Sequence, residues 1–395
     1  MSLQNSAVKK TFERGKLYEN GKINVAVLEG NYYEMGRQYG ELLKDEIREF
    51  YKTAIEGNII NNNLSIFERL KGFIGKMVWS GYPQRQKEIF RGMSQTSGLS
   101  ANQLVILDQN VAITHILMGM SSASQTLDAC SFIAAWADYT KDGKMVCGRN
   151  LDWLPALKDY ARFLTVIVFN PTDGSNSVAT IIYAGMVGII SGINDKGLFA
   201  ETNDGTSTMG NVGYGNRSAC STKMLGFLLD ADTMDCLDTM INSTRSNCPI
   251  IINAADSNVS YSYESAPHDT RRRGANPSGL LASTNQYLLP SWGTIAMPDS
   301  ALSLERYHNL MLLGNKYKGA IDVEVMKKIM DTSLFQDDGS LGEGVTASYR
   351  HIKGNFKYPT VHQIIASPAE KKIWVKVPEY NDWTLVDLDV LFSKS

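Results

Sequence analysis

The stretch LDACSFIAAWADYTKDGKMVCGRNLDW, residues 127–153, decides the fold. A polar lead ends in Cys130 and passes into a strand-like run, then a turn at Lys141-Asp142-Gly143. A second strand follows and closes in Arg149-Asn150-Leu151-Asp152-Trp153. Short β-branched and aromatic runs on either side of a glycine turn read as paired strands. The pairing sets a cysteine at one strand's start beside an Arg/Asp pair at its neighbour's end. A cysteine nucleophile needs a base and an orienting group within reach, so the question is where the base lies.

On the C-terminal side the same texture continues. RFLTVIVFN, SVATIIYAG, VGIISGIN and GLFAETN are short runs separated by Gly, Asp and Asn turns, a pattern that predicts a largely antiparallel sheet built from hairpins. TKMLGFLLDADTMDCLDTMI and IDVEVMKKIMDTS return to helical spacing, and TVHQIIASPAEKKIWVKV predicts a terminal hairpin around Ser367-Pro368-Ala369-Glu370. On the N-terminal side the first third reads helical. In YYEMGRQYGELLKDEIREFY, Met35, Tyr39, Leu42, Leu43, Ile47 and Phe50 recur at three- and four-residue steps. SIFERLKGFIGKMVW repeats that spacing, and Ser100 with Gln103 makes a capping-box start for a further helix. The helix-rich to strand-rich change falls at Cys130. It divides the chain into an expected helical segment, 1–129, retained and packed on a body of 130–395.

Composition narrows the function. The 395 residues are 43% hydrophobic and 20% charged with a net charge of −2, which suits a large buried core and offers no global attraction for nucleic acid or an anionic membrane. No run approaches the ~18 apolar residues of a membrane span. The basic run Arg271-Arg272-Arg273 lies between Pro267 and Gly274 and reads as a solvated loop, with a substrate-carboxylate contact as the sharper alternative. Five cysteines without CxxC spacing argue against a zinc knuckle and against a complete disulfide framework. No metal or organic cofactor is expected. Met1-Ser2-Leu3-Gln4 lacks the basic start and apolar core of a signal peptide. Cytoplasmic location and export with a leader absent from this sequence both stay open, as does assembly into a homo-oligomer.

None of the five histidines, His115, His268, His308, His351 and His362, sits in the flanking context of a conventional cysteine peptidase. A second solution dispenses with histidine. If the Ala129–Cys130 bond is cut, Cys130 carries its own α-amine, of which roughly a tenth is neutral and basic at pH 7. The residue then supplies nucleophile and base together.

CSFIAAW and DGKMVCGRNLDW resemble the start of the mature chain in the N-terminal-nucleophile (Ntn) hydrolases of the choloylglycine hydrolase and penicillin acyltransferase group. LEGNYYEMGRQYGELL is similar to the pro-segment of the acyltransferase-like branch. The resemblance implies an α+β fold, a four-layer αββα sandwich of two antiparallel sheets. It implies Cys130 as nucleophile, with Arg149 and Asp152 beside it. Physically, Asp152 can accept from the α-ammonium while Arg149 favours a thiolate. SGINDKGLFAETND places Asn203 as the oxyanion-hole asparagine, LLASTNQYLLP places Asn285 near the scissile carbonyl, and SALSLERYHNL places Arg306 as the remaining basic residue. A surface arginine paired with Glu305 is the bland reading of Arg306. The implied activity is cleavage of linear N-acyl amides of small molecules after autocatalytic cleavage before Cys130. The alternatives are an acyltransferase with the same acyl-enzyme and an unprocessed acyl-ligand-binding scaffold.

Overall fold

Strand-forming alternation extends over more of the chain than the helical first third suggests. The computed structural model describes residues 7–60, 79–110, 129–153, 155–206, 217, 220–293, 302–336, 340–346 and 359–393. The N-terminal segment opens with β1 (Val8–Phe12), β2 (Gly15–Asn20) and β3 (Ile23–Gly30). Helices α1 (Tyr32–Leu42) and α2 (Lys44–Tyr51) follow, then a π-helical stretch Lys52–Ile60, α3 (Gln84–Thr96) and α4 (Ala101–Asp108). The body contains β4 (Ala129–Ala135), β5 (Val146–Asp152), β6 (Leu164–Pro171), β7 (Val178–Tyr183), β8 (Ser191–Asn194) and β9 (Phe199–Asp204). Next come α5 (Cys220–Asp230), α6 (Met234–Ser243), β10 (Ile250–Ala255), β11 (Ser260–Ser265), β12 (Thr270–Gly274) and β13 (Leu280–Ser283). The chain continues with α7 (Ser303–Lys316), α8 (Val323–Asp331), β14 (Thr360–Ser367), β15 (Lys372–Val377) and β16 (Asn381–Asp387).

The expectation of a purely helical N-terminal segment is therefore corrected. Its first three strands belong to the large sheet, ordered β1-β2-β3-β6-β7-β8-β9-β10-β11-β12. The signal lies in YENGKIN, where Gly21 takes a φ of +63° in a tight turn between β2 and β3. A glycine enters that left-handed region without steric cost, and two apolar runs around it make a hairpin. β3 pairs parallel with β6, the one departure from antiparallel order among the described strand pairs. The capping box expected at Ser100 and Gln103 does start α4. The expected helix in SIFERLKGFIGKMVW lies outside the described residues except at Trp79.

The second sheet has the order β13-β4-β5-β14-β15-β16. The two sheets face each other across one continuous core in which Phe132 of β4 stacks on Phe199 of β9, with ring centroids 6.5 Å apart. Helices α1 and α5 cover the far side of the large sheet, and α7 and α8 that of the smaller one. The result is helix, sheet, sheet, helix, the layered arrangement expected when each sheet has two apolar faces to bury. α1 and α3 cross at backbone contact. A Cβ added at Gly92 would stand 2.1 Å from the Tyr33 carbonyl, and one at Gly36 would stand 2.2 Å from the Ile89 carbonyl. That crossing explains the glycines of NYYEMGRQYGELL by packing alone.

The basic run also changes meaning. Arg271, Arg272 and Arg273 form most of edge strand β12 rather than a solvated loop. Arg271 binds Asp269 and lies over the Trp292 ring, Arg272 binds Asp238, and Arg273 binds the buried Glu264. Charged side chains on an exposed sheet edge also discourage pairing with another chain.

Candidate active site

Strands β4 and β5 build the centre of the site. Their register pairs Ala129 with Asp152, Cys130 with Leu151, Ser131 with Asn150 and Phe132 with Arg149. Side chains alternate along a strand, and directly paired residues share a face. Cys130, Phe132, Arg149 and Leu151 therefore point between the sheets, whereas Ser131, Asn150 and Asp152 point toward the helices. Arg149 and Asp152, three residues apart, serve opposite faces of the same strand.

On the inner face, Arg149 Nη2 lies 3.9 Å from Cys130 Sγ and donates to the Thr202 carbonyl at 3.1 Å. Its Nε donates to Glu201 Oε2 at 2.8 Å, and both side chains are fully buried. Asn253 Nδ2 in turn donates to Glu201 Oε1. Burial pushes the Glu201 carboxyl up, and the Arg149 charge and the Asn253 hydrogen bond oppose that push. Arg149 Nη1 also faces His362 Nε2 at 3.5 Å. Burial first, and the neighbouring guanidinium second, hold His362 well below the usual histidine range, so it is neutral at pH 7.

On the outer face, Arg306 of α7 is completely buried, which excludes the surface reading. Its Nη1 donates to the Cys130 carbonyl and, at 2.9 Å, to Ser131 Oγ; its Nη2 donates to Asn285 Oδ1 at 2.9 Å. That same Asn285 oxygen accepts from the Cys130 backbone nitrogen at 2.7 Å. Asn285 Nδ2 donates to the Asp204 carbonyl at 3.1 Å, and the Asn285 backbone is held by Ser303 Oγ at the start of α7. Asn285 thus meets the Cys130 nitrogen through its carboxamide oxygen.

Thr360 Oγ1 donates to Asp152 Oδ1 at 2.5 Å, while Oδ2 is buried with no hydrogen-bond partner among the described residues. Burial raises the Asp152 carboxyl from 3.8 to about 6, against the lowering effect of Arg306, the Thr360 hydroxyl and Arg149. Asn203, on β9, donates from Nδ2 to the Thr284 carbonyl at 3.1 Å, and its second amide hydrogen is left for another acceptor.

A cavity opens onto Cys130 and Asn203, with Leu151, Trp153, Ile182, Met186, Ile190 and Ile250 as its apolar walls. Of the six residues singled out in the sequence, Arg149, Asn285 and Arg306 touch Cys130 directly, whereas Asp152 bonds Thr360 and Asn203 bonds the Thr284 carbonyl. Glu201, Asn253 and Thr360 were missed. Glu201 had a readable signal, since the period of two in ETND puts it on the same strand face as Asn203. Among the described residues no group of three or more His, Cys, Asp or Glu is placed to hold a metal ion, and no helix is long and apolar enough to cross a membrane.

Two facing sheets between helical layers are the αββα architecture of the Ntn hydrolases. The chain belongs to the acyl-coenzyme A:6-aminopenicillanic acid acyl-transferase family, whose model matches residues 139–381. That span contains Arg149, Asp152, Asn203, Asn285 and Arg306 and begins after Cys130. Among curated proteins the chain is similar to Protein dcd1B of Dictyostelium discoideum, 23% identical over 208 residues. The match covers 46% of this chain and 39% of that protein, so the chain spans about two fifths of the relative's length. Among solved structures it is similar to a variant of the conjugated bile acid hydrolase of Clostridium perfringens (13% identity, TM-score 0.47, covering 67% of this chain and 95% of that one). It is also similar to the Caenorhabditis elegans ortholog of N-acylethanolamine-hydrolyzing acid amidase (16% identity, TM-score 0.41, 66% and 100%). A third is the penicillin V acylase of Agrobacterium tumefaciens (11% identity, TM-score 0.44, 67% and 89%).

Proposed function

We propose that this protein is a cysteine amidohydrolase of the N-terminal-nucleophile type, cleaving linear N-acyl amides after self-cleavage between Ala129 and Cys130. The observation that carries the reading is that thiol and backbone nitrogen of one residue sit in one buried site with separate partners. Arg149 lies at the sulfur, and Asn285 Oδ1 lies 2.7 Å from the nitrogen. Family membership supports acyl-transfer chemistry, and amide hydrolases stand among the similar structures.

Maturation begins when the Cys130 sulfur attacks the Ala129 carbonyl carbon. The C–S bond forms, the C–N bond breaks, and the nitrogen takes up the thiol proton to become an amine. Water then hydrolyses this internal thioester: the C–S bond breaks, Ala129 leaves as a carboxylic acid, and the Cys130 thiol regains its proton. In turnover the α-amine takes the Cys130 proton as sulfur adds to the substrate carbonyl. The second amide hydrogen of Asn203 stabilises the oxyanion, a donor contact of a kind worth about 10²–10³ in rate. Collapse breaks the substrate C–N bond, and the α-ammonium returns its proton to the departing amine. Water attacks the thioester, gives a proton to the α-amine, and releases the acid and the thiol. The unsatisfied Oδ2 makes Asp152 the acceptor for the ammonium once it forms, and Asn285 with Arg306 keeps the nitrogen in place. His362, neutral and bound to Arg149, has no part in the proton path.

If an amine replaces water at the thioester the same site transfers the acyl group, and the family's name favours that second reading. The test is amine release from a panel of N-acyl amides by wild-type protein and by Cys130→Ala, with and without a competing amine. Release only by the wild type supports the hydrolase. Dominant conversion to the new amide supports the transferase, and no release from any amide sinks both.

A further inference from the structure

The cavity wall owes part of its shape to the segment that precedes the nucleophile. Residues 186–190, between β7 and β8, contribute Met186, Gly188 and Ile190 to the lining. Their backbone is pinned from two sides: the body holds Ile189 N by the Ser221 carbonyl, the Gly188 carbonyl by the Thr180 hydroxyl and the Ile190 carbonyl by Thr202 N, and the N-terminal segment holds Met186, Val187 and Gly188. Asp108, the last residue of α4, accepts with Oδ1 from the backbone nitrogens of Val187 at 2.7 Å and Gly188 at 3.2 Å. The Tyr39 hydroxyl of α1 donates to the Met186 carbonyl and accepts from Gly185 N, each at 2.9 Å. Asp108 Oδ2 accepts from the Tyr82 hydroxyl and, at 2.9 Å, from Gln109 Nε2. Asp108 is only 4% exposed, yet with Gln109 it lines the cavity that opens onto Cys130.

A carboxylate is taken out of water at high cost unless its oxygens are satisfied. Here both oxygens are satisfied by donors that belong to the protein, so the carboxylate faces the cavity without needing a substrate partner. The mechanism proposed above assigns it no step. What it does hold is the backbone of Val187 and Gly188, beside Met186 and Ile190 in the wall of a cavity that Thr202, Asn203, Asp204, Ser221 and Asn247 also line.

We propose that Asp108 is a positioning residue that sets the acyl-length preference of the site, for N-acyl amides with apolar acyl chains. The inference rests on the amidohydrolase reading. Deleting the carboxylate leaves Val187 N and Gly188 N without their acceptor, and the wall moves. The chemistry at Cys130 keeps all its groups. The loss therefore falls on how well an acyl chain fits, and fit within an apolar pocket changes by roughly 10–200-fold per methylene.

The experiment measures kcat and KM for full-length wild type, Asp108→Ala and Asp108→Asn on straight-chain N-acyl amides of increasing length and one common amine. The expected result for Asp108→Ala is a KM raised about 10-fold or more at the length the wild type prefers, with kcat within about threefold and the preferred length displaced. Asp108→Asn keeps an acceptor for the two backbone nitrogens and should restore most of the wild-type ranking. Equal loss at every length, or an unchanged ranking, overturns the proposal. If Asp108→Ala does not fold, Tyr39→Phe removes the other clamp on the same loop and must displace the ranking; an unmoved ranking there overturns it as well. A wild type inert toward every length instead refutes the amidohydrolase reading, and the proposal falls with it.

Discussion

Replacing Glu201 by Gln tests the inner half of the site in free-energy terms. Glu201 and Arg149 are fully buried and 2.8 Å apart. Gln keeps the shape and one acceptor but leaves the guanidinium charge without its counter-ion. Three contacts remain to Arg149: the Thr202 carbonyl, His362 Nε2 and the Cys130 sulfur. None of them carries a formal negative charge while Cys130 is a thiol. Breaking a buried pair from one side costs about 3–5 kcal/mol, whereas removing both charges together costs far less. Glu201→Gln should therefore lower stability by about 3 kcal/mol or more, a hundredfold or greater rise in the unfolded fraction. The double variant Arg149→Met/Glu201→Gln should recover roughly 2 kcal/mol of the sum of the two single losses, as side chains in contact couple by about 0.5–3 kcal/mol. The assay is urea unfolding followed by tryptophan fluorescence, with all four proteins compared at one concentration. A loss below about 1 kcal/mol for Glu201→Gln, or strict additivity in the cycle, refutes the claim that this pair holds Arg149 in place.

Three further outcomes follow from the geometry. Folding binds a proton at Asp152 between its ordinary value of 3.8 and about 6, so this group's contribution to stability declines as pH rises through that window. In the cut chain proposed above, an α-ammonium against Asp152 lowers that carboxyl again, so the stability window belongs to the uncut protein; Asp152→Asn should lose most activity at every pH, and near-wild-type kcat/KM in that variant removes Asp152 from the site. Gly92→Ala forces a Cβ to within 2.1 Å of the Tyr33 carbonyl and should cost about 1–3 kcal/mol, read as a lower melting temperature with kcat unchanged in the surviving protein. His362→Gln should lower kcat/KM by no more than roughly 10–100-fold, the loss typical of a partner one contact removed; a dead but folded variant makes histidine the base.

The middle of the fold was legible because its strands are short, apolar and punctuated by Gly and Asp, so period two stands out from Phe132 to Asn203. The first hairpin was less so: the strong helical spacing from Met35 to Phe50 dominates the first third and masks the Asn20-Gly21 turn. Strand β12 was misread because three consecutive arginines look solvated in a one-dimensional reading. Only the fold brings Asp238, Glu264, Asp269 and Trp292 to meet them. The six candidate residues were reached through the family resemblance and the Arg-Asn-Leu-Asp spacing. Their division between sulfur and nitrogen sides depends on strand register, which the sequence does not display. Asp108 was hidden most completely, one acid in the apolar helix ANQLVILDQN with its partners some 79 and 80 residues further along.

The central claim is that Cys130 acts as a free N-terminal residue. Intact-mass spectrometry of the denatured protein, before and after brief exposure to an N-acyl amide, tests it most directly. The account predicts two fragments, 1–129 and 130–395, with the acyl group carried on the larger one, and a single inert chain for Cys130→Ala. A full-length, uncut wild type that still turns over the amide contradicts it, as does Cys130→Ala protein cleaved at the same bond.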